Sequence, residues 1–284
     1  MSETSAMTAQ PAAAAGTIAI GGDLRVNRLG YGAMRLTGPG IWGEPKDAQG
    51  ARRVLQRALE LGVNFIDTAD SYGPEVNERL IAQTLHPYPR GLVIATKGGL
   101  TRPGRDQWDR RGSAAHLRQA CEASLKRLRV ERIDLYQFHA PDPRVRVEDS
   151  VGELAKLQQE GKIRHIGVSN FSVAELERVA GIAKIVSVQN RYNVTDRRSD
   201  DVVAYCEGHA MAFIPYRPVL GGEPAGHDPG SRELERIAKQ HSITTAQAAL
   251  AWLLARSPAV LPIPGTSSLA HLEENVAAAG VSLG

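Results

Sequence analysis

The sequence predicts an α/β barrel of eight strands and eight helices, and two observations carry this prediction. Short apolar runs recur along the chain, and a helical pattern follows each of them, which is typical of parallel strands covered by helices. The runs lie at residues 28–32, 64–68, 92–97, 133–139, 163–170, 185–190, 211–216 and 260–265. A doubly wound open sheet is the alternative, but it needs a G-x-G-x-x-G turn after an early strand, and "GYGAM" at 30–34 lacks that pattern.

An N-terminal β-hairpin is predicted before the first barrel strand. The apolar runs "TIAI" and "LRV" lie on either side of Gly21 and Gly22, and a glycine pair between two such runs favours a tight turn. We expect this hairpin to cap the bottom of the barrel. Residues 1–16 carry no basic segment and only a weak apolar run, so we expect a disordered tail there and a single barrel domain over residues 17–284.

The helices between the strands repeat apolar residues at the i, i+3, i+4, i+7 spacing of one buried face. The clearest faces comprise Ala51, Val54, Leu55, Ala58 and Leu59, then Leu117, Ala120, Cys121, Ser124, Leu125 and Leu128, then Ala246, Ala249, Leu250, Leu253 and Leu254. Gly62 and Gly161 follow two of the helical patterns, where a left-handed residue commonly ends a helix.

Composition restricts the compartment and the partners. The chain has 34 basic and 31 acidic residues, a net charge of +3, which argues against a nucleic-acid or membrane partner attracted by bulk charge. No apolar run approaches the roughly 20 residues of a membrane span. The two cysteines, Cys121 and Cys206, fall in helical patterns, which favours a reducing compartment over a disulfide framework. We expect a cytoplasmic monomer, with weak oligomerisation as the alternative.

Polar side chains recur at the carboxyl ends of the predicted strands, where α/β barrels carry their chemistry. They are Asp67, Asp70, Tyr72, Lys97, His139, Ser169, Asn170, Gln189, Asn190 and Tyr216. Each alone is compatible with an ordinary role, such as a turn acceptor, a helix cap or a lysine directed to solvent. Because they come from six strands that would share one mouth, together they indicate an active site.

Seven ordered motifs resemble the aldo-keto reductase superfamily over about residues 23–280. They are "GYGAMRL", "FIDTADSYGPEVNERLI", "VIATKGG", "DLYQFHAPD", "GKIRHIGVSNFS", "VQNRYN" and "IPGTSSLAHLEENV". The segments "NRLGYGAMRLTGPGIWG" and "IPGTSSLAHLEEN" are similar to the bacterial and fungal branch that includes pyridoxal reductases.

The resemblance implies a catalytic tetrad, which falls on Asp67, Tyr72, Lys97 and His139. Hydride transfer to a carbonyl leaves an alkoxide that needs a proton, and a tyrosine with a pKa of about 10 is a poor acid near neutrality. A neighbouring lysine lowers that pKa. We expect Asp67 to pair with Lys97, His139 to polarise the carbonyl, and Tyr72 to act as general acid. Asp70 is expected to order the loop.

The implied cofactor is NADPH, with NADH as the alternative. Ser169, Asn170 and Gln189 match residues that hold the nicotinamide carboxamide, and Tyr216 matches an aromatic that stacks on its ring. The remaining expected cofactor contacts are Arg217, Leu220, Gly221, Gly222, Gly265, Thr266, Ser267, Ser268, His271, Glu274 and Asn275. Many NADP-dependent members carry Lys and Arg where this chain has Gly265 and His271, which weakens the electrostatic case for the 2′-phosphate.

The substrate pocket is expected to use Met34, Trp42, Trp108 and Tyr192 from the loops after strands, because aromatic walls suit flat or apolar carbonyl compounds. The predicted function is NADPH-dependent reduction of a small aldehyde or ketone to an alcohol. A non-catalytic, dinucleotide-binding regulatory member of the same fold is the alternative. A metal-dependent hydrolase or a lyase would need clusters of His, Asp and Glu with ligand spacing at strand ends, and His139 is the only histidine at a predicted strand end, so we expect no metal.

Overall fold

Strands and helices alternate along the chain in this computed structural model, which describes residues 10–219 and 229–283. The strands are β1 (Thr17–Ile20), β2 (Leu24–Asn27), β3 (Tyr31–Gly32), β4 (Phe65–Asp67), β5 (Val93–Gly98), β6 (Leu100–Thr101), β7 (Asp109–Arg110), β8 (Ile133–Phe138), β9 (Ile163–Ser169), β10 (Ile185–Gln189) and β11 (Ala212–Phe213). The helices are α1 (Ala48–Glu60), α2 (Val76–Leu85), α3 (Ala114–Leu128), α4 (Val147–Gln159), α5 (Val173–Val179), α6 (Asp200–Gly208), α7 (Pro229–His241), α8 (Thr245–Arg256) and α9 (Leu269–Ala277).

The central sheet is parallel and curls into an α/β barrel. Its seven strands pair in the order β3, β4, β5, β8, β9, β10, β11. The remaining strands form two antiparallel pairs, β1 with β2 and β6 with β7. The helices connecting the barrel strands cover its outside, so the apolar outer faces of the strands are buried against them.

The barrel closes through residues 259–264, which do not form a regular eighth strand. The closing backbone hydrogen bonds are Phe213 N to Ala259 O (2.8 Å), Leu261 N to Phe213 O (2.8 Å), Gly30 N to Pro262 O (3.0 Å) and Gly32 N to Pro264 O (3.3 Å). Pro262 and Pro264 have no N–H to donate toward β3, so a complete ladder cannot form on that side. The strand predicted over 260–265 is therefore an irregular closing segment. Toward β3 its prolines accept backbone hydrogen bonds but donate none.

The hairpin of β1 and β2 lies at the amino-terminal ends of the barrel strands. Its side chains Ile20, Leu24 and Val26 belong to the same buried cluster as the interior residues of the barrel. Asp23 in its turn pairs with Arg164 at 2.7 Å, at the start of β9. Asn27 donates to the Gly62 carbonyl at 2.7 Å, just before β4. The carboxyl-terminal ends of the strands therefore lie at the opposite end of the barrel.

The segment before the hairpin is ordered in its second half. Pro11–Ala15 form a turn of 3-10 helix, with Ala12 fully buried and its N–H donating to the Leu61 carbonyl at 3.0 Å. The expected disorder of residues 1–16 therefore does not extend over Pro11–Ala15, while residues 1–9 lie outside the described residues. Within the described ranges, no helix has both the length and the apolar character needed to cross a membrane.

Glycine ends two helices as predicted. Gly62 follows α1 with a φ of +85°, and Gly161 follows α4 with a φ of +78°. A side chain would be strained in this left-handed conformation, so glycine is favoured at both positions. These turns direct the chain from the outer layer back to the start of β4 and β9.

Candidate active site

Strand alternation brings polar side chains into the carboxyl-terminal mouth of the barrel. Successive residues of a strand point to opposite faces, so a polar residue two positions after an interior apolar residue also points inward. The pairs are Phe65 and Asp67 in β4, Ala95 and Lys97 in β5, and Leu135 and Gln137 in β8. The interior faces of three adjacent strands thus change from apolar to polar toward the mouth: Lys97 pairs in register with Gln137, and Asp67 lies one interior position earlier, beside Ala95.

Lys97 is fully buried at the centre of this group. Its ammonium nitrogen contacts the carboxylate of Asp67 and donates to the Thr68 carbonyl at 2.9 Å and to the Tyr72 hydroxyl at 3.2 Å. Burial alone would lower the pKa of Lys97, but the charge of Asp67 and the hydrogen bonds outweigh burial and raise that pKa. Lys97 is therefore a charged, fully hydrogen-bonded ammonium at neutral pH.

Two glutamines fix the carboxylate of Asp67. Its second oxygen accepts hydrogen bonds from Gln189 Nε2 at 2.7 Å and from Gln137 Nε2 at 3.2 Å. Gln189 was expected to contact the cofactor, whereas sequence reasoning did not select Gln137 at all. The signal for Gln137 was present, because a glutamine in the otherwise buried run "DLYQFH" needs a polar partner.

Tyr72 reaches the same place from the loop after β4. Its ring is nearly buried, lies 5.0 Å from the Lys97 ammonium and meets His139 edge-on, with ring centroids 6.0 Å apart. Burial raises the pKa of the Tyr72 hydroxyl, and the charge of Lys97 lowers it only in part. The net direction is thus opposite to the lowering expected from Lys97, and the hydroxyl stays protonated in neutral solution.

His139 follows β8 with its imidazole buried beside Tyr72. Its Nδ1 is buried and has no hydrogen-bond partner among the described residues. Burial and the charge of Lys97 both lower the pKa of His139 well below its ordinary value. The ring is therefore neutral near pH 7, and Nδ1 is available to a ligand.

Asp70 differs from the other polar residues of this loop. Its N–H donates to the Lys97 carbonyl at 3.2 Å and its carbonyl accepts from Glu75 N at 2.6 Å. The Oδ1 atom of its carboxyl is buried without a partner in the described structure. Burial, reinforced by the charge of Glu78, raises the pKa of Asp70 well above its ordinary value. The backbone of Asp70 orders the loop, while its carboxyl group contributes no hydrogen bond through Oδ1.

A chain of hydrogen bonds connects the remaining strand-end residues. Asn170 donates to the His139 carbonyl at 3.0 Å and to Ser169 Oγ at 3.1 Å, and it accepts from the Tyr216 hydroxyl at 2.9 Å. Ser169 Oγ donates to the Gln189 carbonyl at 2.7 Å. Asn170 has a φ of +61°, a conformation that asparagine tolerates better than most residues. The predicted carboxamide site is thus one connected group beside His139.

The residues expected near the rest of the cofactor are spread over three segments. Arg217 is exposed, with a φ of +51°, and its carbonyl accepts from Asn193 at 3.0 Å. Leu220, Gly221 and Gly222 lie outside the described residues.

The third segment precedes and opens α9. Ser268 caps this helix through its hydroxyl, which accepts from His271 N at 3.4 Å. Gly265, Ser267 and His271 are exposed, whereas Thr266, Glu274 and Asn275 are buried or partly buried. The Thr266 carbonyl accepts from the Tyr31 hydroxyl at 2.5 Å, which ties this segment to the start of the barrel.

Arg102 joins the two tryptophans of the rim. Its guanidinium carbon lies 3.9 Å from the Trp108 ring centroid and 5.5 Å from that of Trp42. It also donates to the carbonyls of Gln107 (3.0 Å), Ile41 (2.9 Å) and Gly40 (3.0 Å). Arg102 was not selected from the sequence, because two of its carbonyl partners, Ile41 and Gly40, lie 61 and 62 residues away in the chain. The arginine fastens the β6–β7 hairpin to the loop that carries Trp42.

The other two residues expected in the substrate pocket are placed differently. Tyr192 is fully buried, stacks on Trp252 of α8 with centroids 5.8 Å apart, and donates to Asp200 at 2.5 Å. The expectation that Tyr192 lines the pocket is therefore wrong, because an aromatic partner and a carboxylate hold it in the outer core. Met34 lines a cleft together with Arg35 and Ser267.

The sequence is similar to those of known proteins. The model of the aldo/keto reductase family matches residues 28–283. The chain is 48% identical over 283 residues to an uncharacterized oxidoreductase of Schizosaccharomyces pombe, covering 100% of this chain and 91% of the relative. It is 42% identical over 264 residues to pyridoxine 4-dehydrogenase of Escherichia coli, and the match covers 90% of this chain and 91% of the relative.

Solved structures show the same fold. The glycerol dehydrogenase AKR11B4 of Gluconobacter oxydans superposes with a TM-score of 0.82 at 29% identity, covering 94% of this chain and 91% of that one. An aldo-keto reductase of Klebsiella pneumoniae in complex with NADPH superposes with a TM-score of 0.77 at 26% identity. The superposition covers 93% of this chain and 89% of that one.

Proposed function

The chain belongs to the aldo/keto reductase family of NAD(P)H-dependent oxidoreductases, and we propose that it reduces a small aldehyde or ketone to an alcohol with NADPH. One observation carries the proposal: a buried lysine, charged through Asp67, lies 3.2 Å from the hydroxyl of the nearly buried Tyr72. This arrangement supplies a proton to a reacting oxygen and stabilises the phenolate that remains.

The proposed mechanism divides the work among four side chains. The cofactor supplies the hydride when bound. Tyr72, protonated before the reaction, donates its proton to the carbonyl oxygen as negative charge develops there. Lys97 stabilises the resulting phenolate from 3.2 Å, and Asp67 keeps Lys97 charged and oriented. In the oxidative direction the phenolate accepts the proton of the alcohol.

His139 is proposed to polarise the carbonyl. Its ring is neutral near pH 7, and one of its nitrogens has no partner in the described structure. A neutral imidazole that donates a hydrogen bond to the oxygen, in a water-poor pocket, stabilises developing negative charge. Because the imidazolium form would repel Lys97, the neutral form is the one compatible with this site.

The strand-end residues fit a nicotinamide. Ser169 and Asn170 are proposed to present a hydroxyl and an amide to the carboxamide, because Asn170 is held at the His139 carbonyl and at Ser169 Oγ, and Ser169 is held at the Gln189 carbonyl. Gln189 is proposed to bind the carboxamide beside them. Tyr216 is partly exposed at the mouth, and its hydroxyl is held by Asn170, so its ring can stack on a flat ligand. Preference for NADPH is supported by the NADPH complex of the Klebsiella pneumoniae structure.

The substrate class follows from the rim and from one relative. Trp42 and Trp108 are held by Arg102, and rigid aromatic walls suit a flat carbonyl compound. The name pyridoxine 4-dehydrogenase describes oxidation of an alcohol attached to an aromatic ring. We therefore propose aromatic aldehydes, with pyridoxal tested first.

The hairpin is proposed to close the other end of the barrel, so that chemistry is confined to one mouth. Ile20, Leu24 and Val26 would fill the interior below Phe65, Val93 and Leu135, whose cluster they share. Water would then have no entry from the amino-terminal end.

The test is oxidation of NADPH by the purified protein with pyridoxal and a panel of aromatic and aliphatic aldehydes. We expect turnover with aromatic aldehydes and its loss in Tyr72→Phe. Tight NADPH binding without turnover on any carbonyl would favour the alternative function, a dinucleotide-binding regulator.

A further inference from the structure

A cleft of about 420 Å³ opens between the loop after β3 and the segment that precedes α9. One wall comprises residues 34–41 and 45–47 with the first turn of α1, and the other wall includes Ser267. The proposed nicotinamide site uses neither Arg35 nor Lys46, although both cationic side chains line this cleft.

Arg35 and Lys46 are both exposed, and among the described residues neither side chain makes a hydrogen bond or an ion pair. Asp47, a carboxylate that lines the cleft, is already engaged: it accepts from Gly50 N at 2.7 Å and lies 3.6 Å from Arg53. The cleft therefore has two positive charges available to an anion.

Gly265 explains why the charge comes from the loop after β3. A Cβ at position 265 would lie 2.5 Å from the Gly32 carbonyl oxygen and 3.8 Å from Arg35 Cγ. The Gly32 backbone is held by its N–H, which donates to Pro264 O at 3.3 Å where the barrel closes. A side chain at position 265 would therefore require this backbone to shift, and the aliphatic part of Arg35 lies beside that place.

We infer that Arg35 and Lys46, with the Ser267 hydroxyl, bind the 2′-phosphate of NADPH. The inference rests on the proposed nicotinamide cofactor and deepens it to a preference for the phosphorylated form. A planar guanidinium pairs with two phosphate oxygens at once, and an ammonium adds a point charge. The start of α9 beside Ser267 contributes its positive dipole end.

The test is equilibrium binding of NADPH, NADH and adenosine 2′,5′-bisphosphate to the wild type and to Arg35→Gln, Lys46→Gln and the double variant. We expect Arg35→Gln to raise the Kd for NADPH about 10- to 100-fold, the loss typical of charge-assisted hydrogen bonds. The Kd for NADH should stay nearly unchanged. The Kd for adenosine 2′,5′-bisphosphate should rise as the Kd for NADPH does, while the Kd for 5′-AMP should not.

Two controls separate a local contact from a change in net charge or folding. Arg25→Gln removes the same charge from an exposed position in β2, at the other end of the barrel, and should leave the Kd for NADPH unchanged. Arg35→Lys keeps the charge and should therefore bind NADPH more tightly than Arg35→Gln does. Raising the salt concentration should weaken the binding of NADPH more than the binding of NADH in the wild type. This difference in salt dependence should shrink in the double variant.

The outcomes distinguish this inference from the proposed function. Equal weakening of NADPH and NADH by Arg35→Gln would place the cations at the shared pyrophosphate and overturn the inference. Unchanged NADPH affinity in the double variant would also overturn it. In both cases wild-type binding of dinucleotides preserves the proposed function, whereas a wild type that binds neither dinucleotide removes both.

Discussion

The ammonium nitrogen of Lys97 lies 3.2 Å from the hydroxyl oxygen of Tyr72. These residues are 25 positions apart in the chain, and one lies in a strand while the other returns from a loop. The contact depends on Asp67, which holds the other side of the ammonium, and on the turn that brings Tyr72 back over the mouth. Each of these dependences can be tested separately.

Tyr72→Phe removes the proposed proton donor and keeps the ring. We expect kcat for carbonyl reduction to fall about 10²- to 10⁴-fold, the range typical of a lost general acid, with the Kd for NADPH unchanged. Steady-state kinetics and cofactor binding measure the two quantities. Tyr88→Phe is the matched control, because it removes a hydroxyl that donates to the Leu128 carbonyl far from the mouth. Normal kcat in Tyr72→Phe would remove Tyr72 from the mechanism.

Asp67→Asn leaves Lys97 buried without its counter-charge. The carboxylate raises the pKa of Lys97, so the substitution should lower that pKa and shift the alkaline limb of the kcat–pH profile to lower pH. Breaking a buried ion pair should also cost about 3–5 kcal/mol of stability. The pH profile checks the first effect and urea unfolding the second. An unshifted alkaline limb would mean that Lys97 does not control the profile.

The interior-facing part of the site could be predicted from the sequence, because it follows from alternation in single strands. Asp67 and Lys97 each end an apolar run, and in the parallel pair β4–β5 Asp67 lies beside Ala95, so the lysine two residues later can reach it. Gln137 follows the same alternation after Leu135 and could have been selected, whereas Arg102 could not. Arg102 acts on carbonyls of a loop about 60 residues earlier, and only the folded rim brings the two together.

Two other differences have local physical causes. Pro262 and Pro264 remove the N–H groups that an eighth strand would need, and this information was present in "VLPIPG". Tyr192 follows a strand end as the other expected pocket residues do. Its hydroxyl, however, donates a hydrogen bond to Asp200, and its ring stacks on Trp252 in the outer layer. Packing partners on a distant helix decide such a position, and they are not visible in the local pattern.

Arg102→Ala should loosen the substrate side of the mouth. The guanidinium holds three carbonyls and lies over two tryptophan rings, so its loss should raise KM for aromatic aldehydes several-fold and leave kcat at saturation much less affected. Arg102→Lys should not restore KM, because an ammonium lacks the planar fork that reaches separate carbonyls. Arg105→Ala, on an exposed neighbour, is the control. A kcat loss without a KM change would contradict this role.

Acid should weaken the loop after β8 through Asp142. This carboxylate accepts from Gly112 N at 3.0 Å and from Arg144 Nε at 2.9 Å, and the hydrogen bond to Arg144 is the main cause that lowers its pKa to about 2. Because the pKa of Asp142 is lower in the folded state than in the unfolded state, its ionised form stabilises the protein at pH values above the ordinary pKa of an aspartate. This stabilisation is lost as the pH falls toward 2.

Asp142→Asn should therefore lower Tm at pH 7, and its difference from the wild type should shrink between about pH 4 and pH 2, the interval between the ordinary and the folded pKa. Thermal unfolding over this range measures it. Asp106→Asn, at an exposed carboxylate that lies 3.8 Å from Arg105, should show no such trend. A constant difference across the range would mean that protonation of Asp142 is not involved.

Gly265 lies close against the backbone of Gly32 in β3. A Cβ there would lie 2.5 Å from the Gly32 carbonyl oxygen, a distance that real side chains do not adopt. Gly265→Ala should therefore lower stability by about 1–3 kcal/mol, the usual cost of overpacking, and Gly265→Lys should not improve NADPH binding. Gly152→Ala is the matched control, because a Cβ at this position in α4 meets nothing within 4 Å and alanine favours a helix. We expect that control to gain about 0.5–1 kcal/mol. If Gly265→Ala were as stable as the wild type, the backbone contact would not be what selects glycine there, and the account of why Arg35 supplies the charge would need a different cause.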